Sequence, residues 1–152
     1  MKKQRVYLDN CCFNRPYDDQ EQEKIILETE AKLKIQSMIK NEQLDLVWSY
    51  ILDYENSENP DKTISRAISE WKQYSYIDTE EDAELINLAE SIKILGLDSK
   101  DALHIACAIT GKADYFFTTD KKVLKKGAKI KEIKILNPVK YFIEDFMEDK
   151  ND

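Results

Sequence analysis

The chain has 152 residues, room for one domain with an ordinary core and not comfortably for two. Hydrophobic residues make up 42% and charged residues 35%, a soluble and packable balance, and no apolar stretch approaches the ~20 residues of a membrane-spanning helix. The formal charge of −7, from 30 acids against 23 lysines and arginines, excludes a uniformly basic nucleic-acid coat but not a local basic patch.

Arg5-Val-Tyr-Leu-Asp9 reads as a short strand that ends at an acid. Its early return to charge is not the pattern of a secretory signal; the expected compartment, the cytoplasm, follows from the reduced cysteines considered below. Asn10 to Gln20, with Asn14, Pro16, Asp18 and Asp19, has the composition of a loop. Leu27, Ala31, Ile35, Met38 and Ile39 then recur on one face of a long helix. Leu44 to Ser49 is a second strand, followed by helical sequence carrying Ile51, Leu52 and Glu55. Asn59-Pro60 reads as an N-cap with proline in the first turn, and Ile64, Ala67, Ile68 and Trp71 continue that helix. Tyr74 to Ile77 is a short third strand. Leu85, Leu88, Ala89, Ile92 and Leu95 form an amphipathic helix stopped by Gly96.

Asp98 or Ser99 caps the next helix, Asp101 to about Thr110, which Gly111 ends. Only His104 is polar between Ala102 and Ile109, so this helix is expected to be buried on most of its surface. Tyr115 to Thr119 is a strand that ends at Asp120, and Lys134 to Leu136 is a last strand. Asn137-Pro138 opens a terminal helix with Val139, Phe142, Ile143, Phe146 and Met147 on one face. This alternation predicts a single domain, residues 1–152, of the α/β class: a three-layer α/β/α sandwich around a mostly parallel sheet.

Cys11, Cys12 and Cys107 are an odd number with two adjacent, a poor disulfide framework. They read as reduced, mostly buried thiols, with a catalytic or redox cysteine the lesser alternative. One histidine and no Cys-x-x-Cys pair leave no usual zinc set. Nucleophile-elbow and glycine-rich phosphate-binding motifs are also absent from the sequence.

The acids remain. In a parallel sheet, ligands bind beyond the carboxyl ends of the strands. Asp9 and Asp120 end strands, Glu55 lies one to two helical turns past the second strand, and Asp101 opens the buried helix. Each has an ordinary structural explanation as a turn, cap or solvated residue. Together they form a set that Mg²⁺ or Mn²⁺ would neutralise, and such an ion activates water against a phosphodiester.

Tyr7-Leu-Asp-Asn10, Asp101-Ala-Leu-His-Ile-Ala-Cys-Ala108 and Ala113-Asp-Tyr-Phe-Phe-Thr-Thr-Asp120 resemble the PIN-domain nucleases, the family that includes VapC-type toxins. The match in order and spacing covers nearly the whole chain. The resemblance implies a PIN-like α/β/α fold and a Mg²⁺- or Mn²⁺-dependent endoribonuclease, with the toxin of a toxin–antitoxin pair as a weaker implication. Asp9, Glu55, Asp101 and Asp120 match the family's acidic positions as metal-holding and catalytic residues. Thr118 matches a hydroxyl residue that supports the carboxylates, and Asn10 adjoins the first acid. Asp53 is an alternative to Glu55. His104, one turn after Asp101, reads as packing behind the acids rather than as a ligand.

Arg15 has two readings, contact with a phosphate or a surface salt bridge. Asp114 is expected to anchor the turn before its strand. The partners implied are an RNA substrate, an antitoxin protein and a second copy in a homodimer, with no membrane. The alternative is a catalytically inactive PIN-like module that binds RNA or protein; the full set of four acids argues against it. A phosphoacceptor or haloacid-type phosphatase fits poorly, because Asp9 is followed by Asn10, Cys11 and Cys12.

Residues 121–134 hold seven lysines, among them Lys121 and Lys122, against Glu132 alone. That local +6 leaves −13 for the other 138 residues. The run reads either as a solvated helix and loop or as an RNA-backbone contact directly after Asp120.

Overall fold

Gln4–Leu8 (β1) carries Val6, Tyr7 and Leu8, all fully buried, as befits a strand covered on both faces. It lies at the centre of a five-stranded, all-parallel sheet with Leu44–Ser49 (β2), Ser75–Thr79 (β3), Tyr115–Phe117 (β4) and Lys134–Leu136 (β5). The strand order is β3-β2-β1-β4-β5. The computed structural model describes residues 3–146, and the side chains of 145 and 146 are outside that description.

The helices are Asn10–Asn14 (α1), Glu23–Lys40 (α2), Tyr50–Ser57 (α3), Lys62–Ser69 (α4), Ala83–Lys93 (α5), Ser99–Thr110 (α6), Lys121–Gly127 (α7) and Pro138–Lys140 (α8). Two 3₁₀ turns, Arg15–Tyr17 and Glu70–Tyr74, extend α1 and α4, and a π-helical turn, Tyr141–Phe146, follows α8. The period-2 alternation of the strands sorts the core into two layers. Tyr7 stacks on Phe116 at 5.2 Å on the side of α6. Trp48 meets Phe13 of α1 edge-on at 5.4 Å on the side of α2, whose Lys32 stands over the Phe13 ring. The three-layer α/β/α arrangement is therefore as the alternation predicts.

Several local expectations change. The Asn10–Tyr17 stretch is helical rather than looped, because the Asp9 carbonyl accepts the Cys12 and Phe13 N–H groups while both side chains sink into the core. Leu27 does not join the buried face of α2; it is 52% exposed, and Glu28 is buried one position on. Asp61, not Asn59, caps α4, its carboxylate accepting the Thr63 and Ile64 N–H groups. Tyr115–Phe117 is shorter than the predicted strand, with Thr118 and Thr119 lying beyond it.

The terminal helix is also different. Its π winding leaves Ile143 69% exposed and puts Tyr141 in the core, edge-on to Tyr115 and Phe117. Met147 of the predicted face lies outside the described residues. Asp114 anchors its turn as expected, its carboxylate accepting the Arg5 N–H at 2.8 Å.

Gly111 closes α6 as expected, but not through a left-handed conformation of its own. The left-handed residue after this helix is Lys112, at φ 59°. Gly111 itself has φ −77°, and an added Cβ would stand 2.6 Å from Val47 Cγ1 of β2. Close approach of helix to sheet is what requires glycine there.

Candidate metal and nucleic-acid site

The order of the strands reverses beside β1: the chain steps outward through β2 and β3, then returns to the other side of β1 as β4. A crevice outside the carboxyl ends of β1 and β4 follows from that topology. A cavity of about 380 Å³ occupies it, lined by Asp9, Asn10, Cys11, Asn14, Arg15, Asp18, Glu55, Asp101 and Asp120. The four acids singled out in the sequence thus line one cavity, brought there by β1, α3, α6 and the β4–α7 turn. Asp53, the alternative to Glu55, is elsewhere: it pairs with Lys72 at 3.0 Å and accepts the Trp48 indole N–H.

Asp9 is the most constrained of the four. It is 6% exposed. Its Oδ1 accepts the Asn10 N–H at 2.8 Å, and its Oδ2 accepts the Thr118 hydroxyl at 2.9 Å. Thr118 Oγ1 in turn accepts the Asp120 N–H at 3.1 Å, so one threonine joins the two strand-end acids. Asp120 Oδ1 caps α7 through the Lys122 and Val123 N–H groups.

Glu55 is held from two sides. Asn10 Nδ2 donates to its Oε2 at 3.1 Å, and His104 Nε2 to its Oε1 at 2.5 Å. Behind His104 runs a buried chain: Nδ1 to the Tyr7 hydroxyl at 2.6 Å, and that hydroxyl to Ser49 Oγ at 2.7 Å. With the proton on Nε2, every member is satisfied in turn. Ser49 donates to Tyr7, Tyr7 to His104 and His104 to Glu55, while Ser49 Oγ accepts the Leu52 N–H. His104 therefore packs behind Glu55. Burial pulls Glu55 upward, but the His104 hydrogen bond, the charge His104 carries once its ring is protonated, Lys100 and the Asn10 amide bring its carboxyl below the usual range. Burial opposes that protonation, yet the Glu55 hydrogen bond and the Asp9, Glu55 and Asp101 charges raise His104 overall. In the charged ring Nδ1 donates to Tyr7, and Tyr7 to Ser49.

Asp101 is pushed up to about 7, by burial first and then by the charges of Asp98, Asp9 and Asp120. Five acids and a single cation, Arg15, line this cavity. The oxygen-only character of Asp9, Glu55, Asp101 and Asp120 and their mutual repulsion fit a hard divalent cation. Among the described residues, however, no three Asp, Glu, His or Cys side chains are gathered closely enough to hold an ion themselves. The two observations are compatible for a hydrated ion, since Mg²⁺ keeps several waters and takes only one or two protein carboxylates directly.

Arg15 lines the cavity with its guanidinium already engaged. Nε lies 3.2 Å from the buried Glu28 carboxylate, Nη1 donates to Asp18 at 2.9 Å and Nη2 to Thr119 Oγ1 at 2.8 Å. Lys121 and Lys122 are exposed at the start of α7. Three contributors escaped the sequence reading. Cys11 Sγ sits 3.5 Å from Asp9 Oδ2 and 3.4 Å from Thr118 Oγ1. Tyr7 and Ser49 complete the chain behind His104. The signal for Tyr7 was present, because a residue two before Asp9 shares its face of the strand.

No protein-family model matches the sequence, and no curated protein matches it. Among solved structures, a chain of VapBC2 from Rickettsia felis, crystallised bound to a DNA fragment from their promoter, has a TM-score of 0.54 to this chain. The match covers 88% of this chain and 98% of that one at 15% identity, a likeness of fold that agrees with a PIN-like α/β/α domain.

Proposed function

We propose that the chain is a Mg²⁺- or Mn²⁺-dependent endoribonuclease. The observation that carries this reading is the convergence of Asp9, Glu55, Asp101 and Asp120, from four separate parts of the chain, on one cavity at the strand-order reversal. A divalent ion bound there supplies an activated water and neutralises charge on the scissile phosphate.

The protein's own part is positioning. Thr118 and the Asn10 N–H fix both oxygens of Asp9, and Asn10 Nδ2 with His104 fixes Glu55. Because these donors are set by α1, α6 and the turn after β4, the carboxylates need little reorganisation when the ion and phosphate arrive. Arg15 holds the α1 segment against Thr119 and so keeps that wall of the cavity in place.

Purified protein incubated with single-stranded RNA is expected to cleave it in Mg²⁺ or Mn²⁺ and not in EDTA. Asp9→Asn and Asp101→Asn are each expected to lower the rate by about a hundredfold or more, the scale of several kcal/mol of lost charge stabilisation. Cleavage that survives both substitutions would falsify the assignment. The second reading, an inactive RNA- or protein-binding module, draws on the absence of a tightly gathered ligand set among the described residues. RNA binding without cleavage in any divalent ion would select it.

The fold shared with a chain of a VapBC2 structure supports a toxin role, with an antitoxin as partner. A small DNA-binding protein encoded beside this chain, and inhibition of RNA cleavage by it, are the observations expected.

A further inference from the structure

The two acids contributed by α3 and α6 have neighbours in sequence that the chemistry above does not use. Tyr54 precedes Glu55, and Lys100 precedes Asp101. As Glu55 and Asp101 converge on the cavity, these neighbours meet beside it: Lys100 Nζ lies 5.8 Å from the centre of the Tyr54 ring. Lys100 also stands near enough to Glu55 to help lower its carboxyl.

Tyr54 is 52% exposed. The core contacts of α3 come instead from Ile51 and Leu52. Tyr54 thus presents a half-exposed ring with a cation at its face, one residue from an acid that lines the cavity. The pair has the composition of a platform for single-stranded nucleic acid, in which an aromatic face takes any base and a cation takes the backbone.

We propose that Tyr54 and Lys100 form a stacking subsite for single-stranded RNA, the ring receiving a base and the ammonium the adjoining phosphate. This rests on the ribonuclease reading of the neighbouring cavity. Duplex RNA keeps its base faces stacked inward and gains nothing from such a ring. Lys121 and Lys122 follow Asp120, but the 121–134 run contains no aromatic residue that could act as such a platform.

The test is fluorescence anisotropy with a short labelled oligouridine, the same oligomer carrying one abasic site, and a duplex of equal length. All are titrated in Mg²⁺ against an Asp9→Asn background that prevents turnover. Tyr54→Ala is expected to weaken oligouridine binding by about fivefold to a hundredfold, as for loss of one stacked base. Tyr54→Phe keeps the ring and is expected to bind as the parent does. Lys100→Gln should weaken binding and reduce the salt slope by about one. The penalty of Tyr54→Ala should shrink for the abasic oligomer and vanish for the duplex.

Oligouridine affinity unchanged by Tyr54→Ala overturns the subsite. If wild type then still cleaves RNA with Mg²⁺, the ribonuclease reading survives alone. No RNA binding by any variant overturns both.

Discussion

Arg15 reaches partners from three parts of the chain: Asp18 beside it, Thr119 beyond β4, and the buried Glu28 of α2. Glu28 is 1% exposed and also accepts Asn137 Nδ2. Removing one member of such a pair strands the other in a low dielectric. Arg15→Ala is therefore expected to destabilise the fold by about 3–5 kcal/mol in urea denaturation. Adding Glu28→Gln should recover part of that loss, and a neutral Arg15→Ala would show the pair to be solvated. The sequence offered two readings of Arg15 because its partner lies thirteen residues on, at a position whose burial no periodicity announces.

Lys32 has the opposite character. Burial lowers its ammonium from 10.5 to about 8, only partly offset by the Cys12 thiol. The unfolded chain then takes up this proton first as pH falls from about 10.5 to 8, and stability drops across that interval to a constant penalty below it. Lys32→Met should gain about 2–3 kcal/mol at pH 7, with the gain shrinking toward pH 10. Equal urea midpoints for the two proteins at pH 7 would refute it.

At the scale of elements, α6 shows how tightly the site depends on packing. Its end approaches β2 so closely that a methyl group on Gly111 meets Val47. Gly111→Ala is expected to destabilise by about 1–3 kcal/mol, the range for overpacking a core. Gly127→Ala, whose Cβ would stand 2.5 Å from the tip of Ile135, should be milder because a side-chain end can swing away. Comparing the two denaturation curves checks the order.

Strands β2 and β5 and helix α6 were legible in the sequence because short apolar segments between polar neighbours, or an almost unbroken apolar stretch, leave few alternatives. Helix α1 was not, because the turn-forming Asn10 and Asn14 outweighed Cys12 and Phe13 locally, whereas the core outweighs them in the fold. Asp9 and Asp120 were legible for a related reason, since an acid at the end of an apolar strand has few places to go. Asp101 stood out instead by opening an apolar helix, and Glu55 left Asp53 as an alternative. Thr118 was marked as a support by the family resemblance and Asn10 by its place beside Asp9, while their bonds to residues 109 and 45 positions away are visible only in the fold.

For the whole molecule, parallel pairing forces long crossovers, and the site inherits that reach. A ligand joining four distant elements is linked to the global unfolding equilibrium. On the metal-site reading proposed above, Mn²⁺ should therefore raise the Tm of wild type by more than that of Asp120→Asn, and equal shifts would remove Asp120 from the proposed ligands. The charge is just as unevenly distributed: the −7 total divides into the lysine-rich 121–134 run and a strongly acidic remainder. The α/β/α class followed from alternation alone, whereas the pairing of β1 with β4 depends on contacts between residues 6–8 and 115–117 that no local pattern encodes.

The central place of β1 has a consequence for synthesis. During translation Asp9 emerges early, yet one flank of β1 stays open until β4 has left the ribosome, and Thr118 arrives with it. A nascent chain lacking β4 holds three of the four acids with neither the clamp on Asp9 nor the second edge of its strand. The cavity therefore assembles late, so on the ribonuclease reading proposed above a growing chain should be unable to cut RNA near the ribosome that is making it.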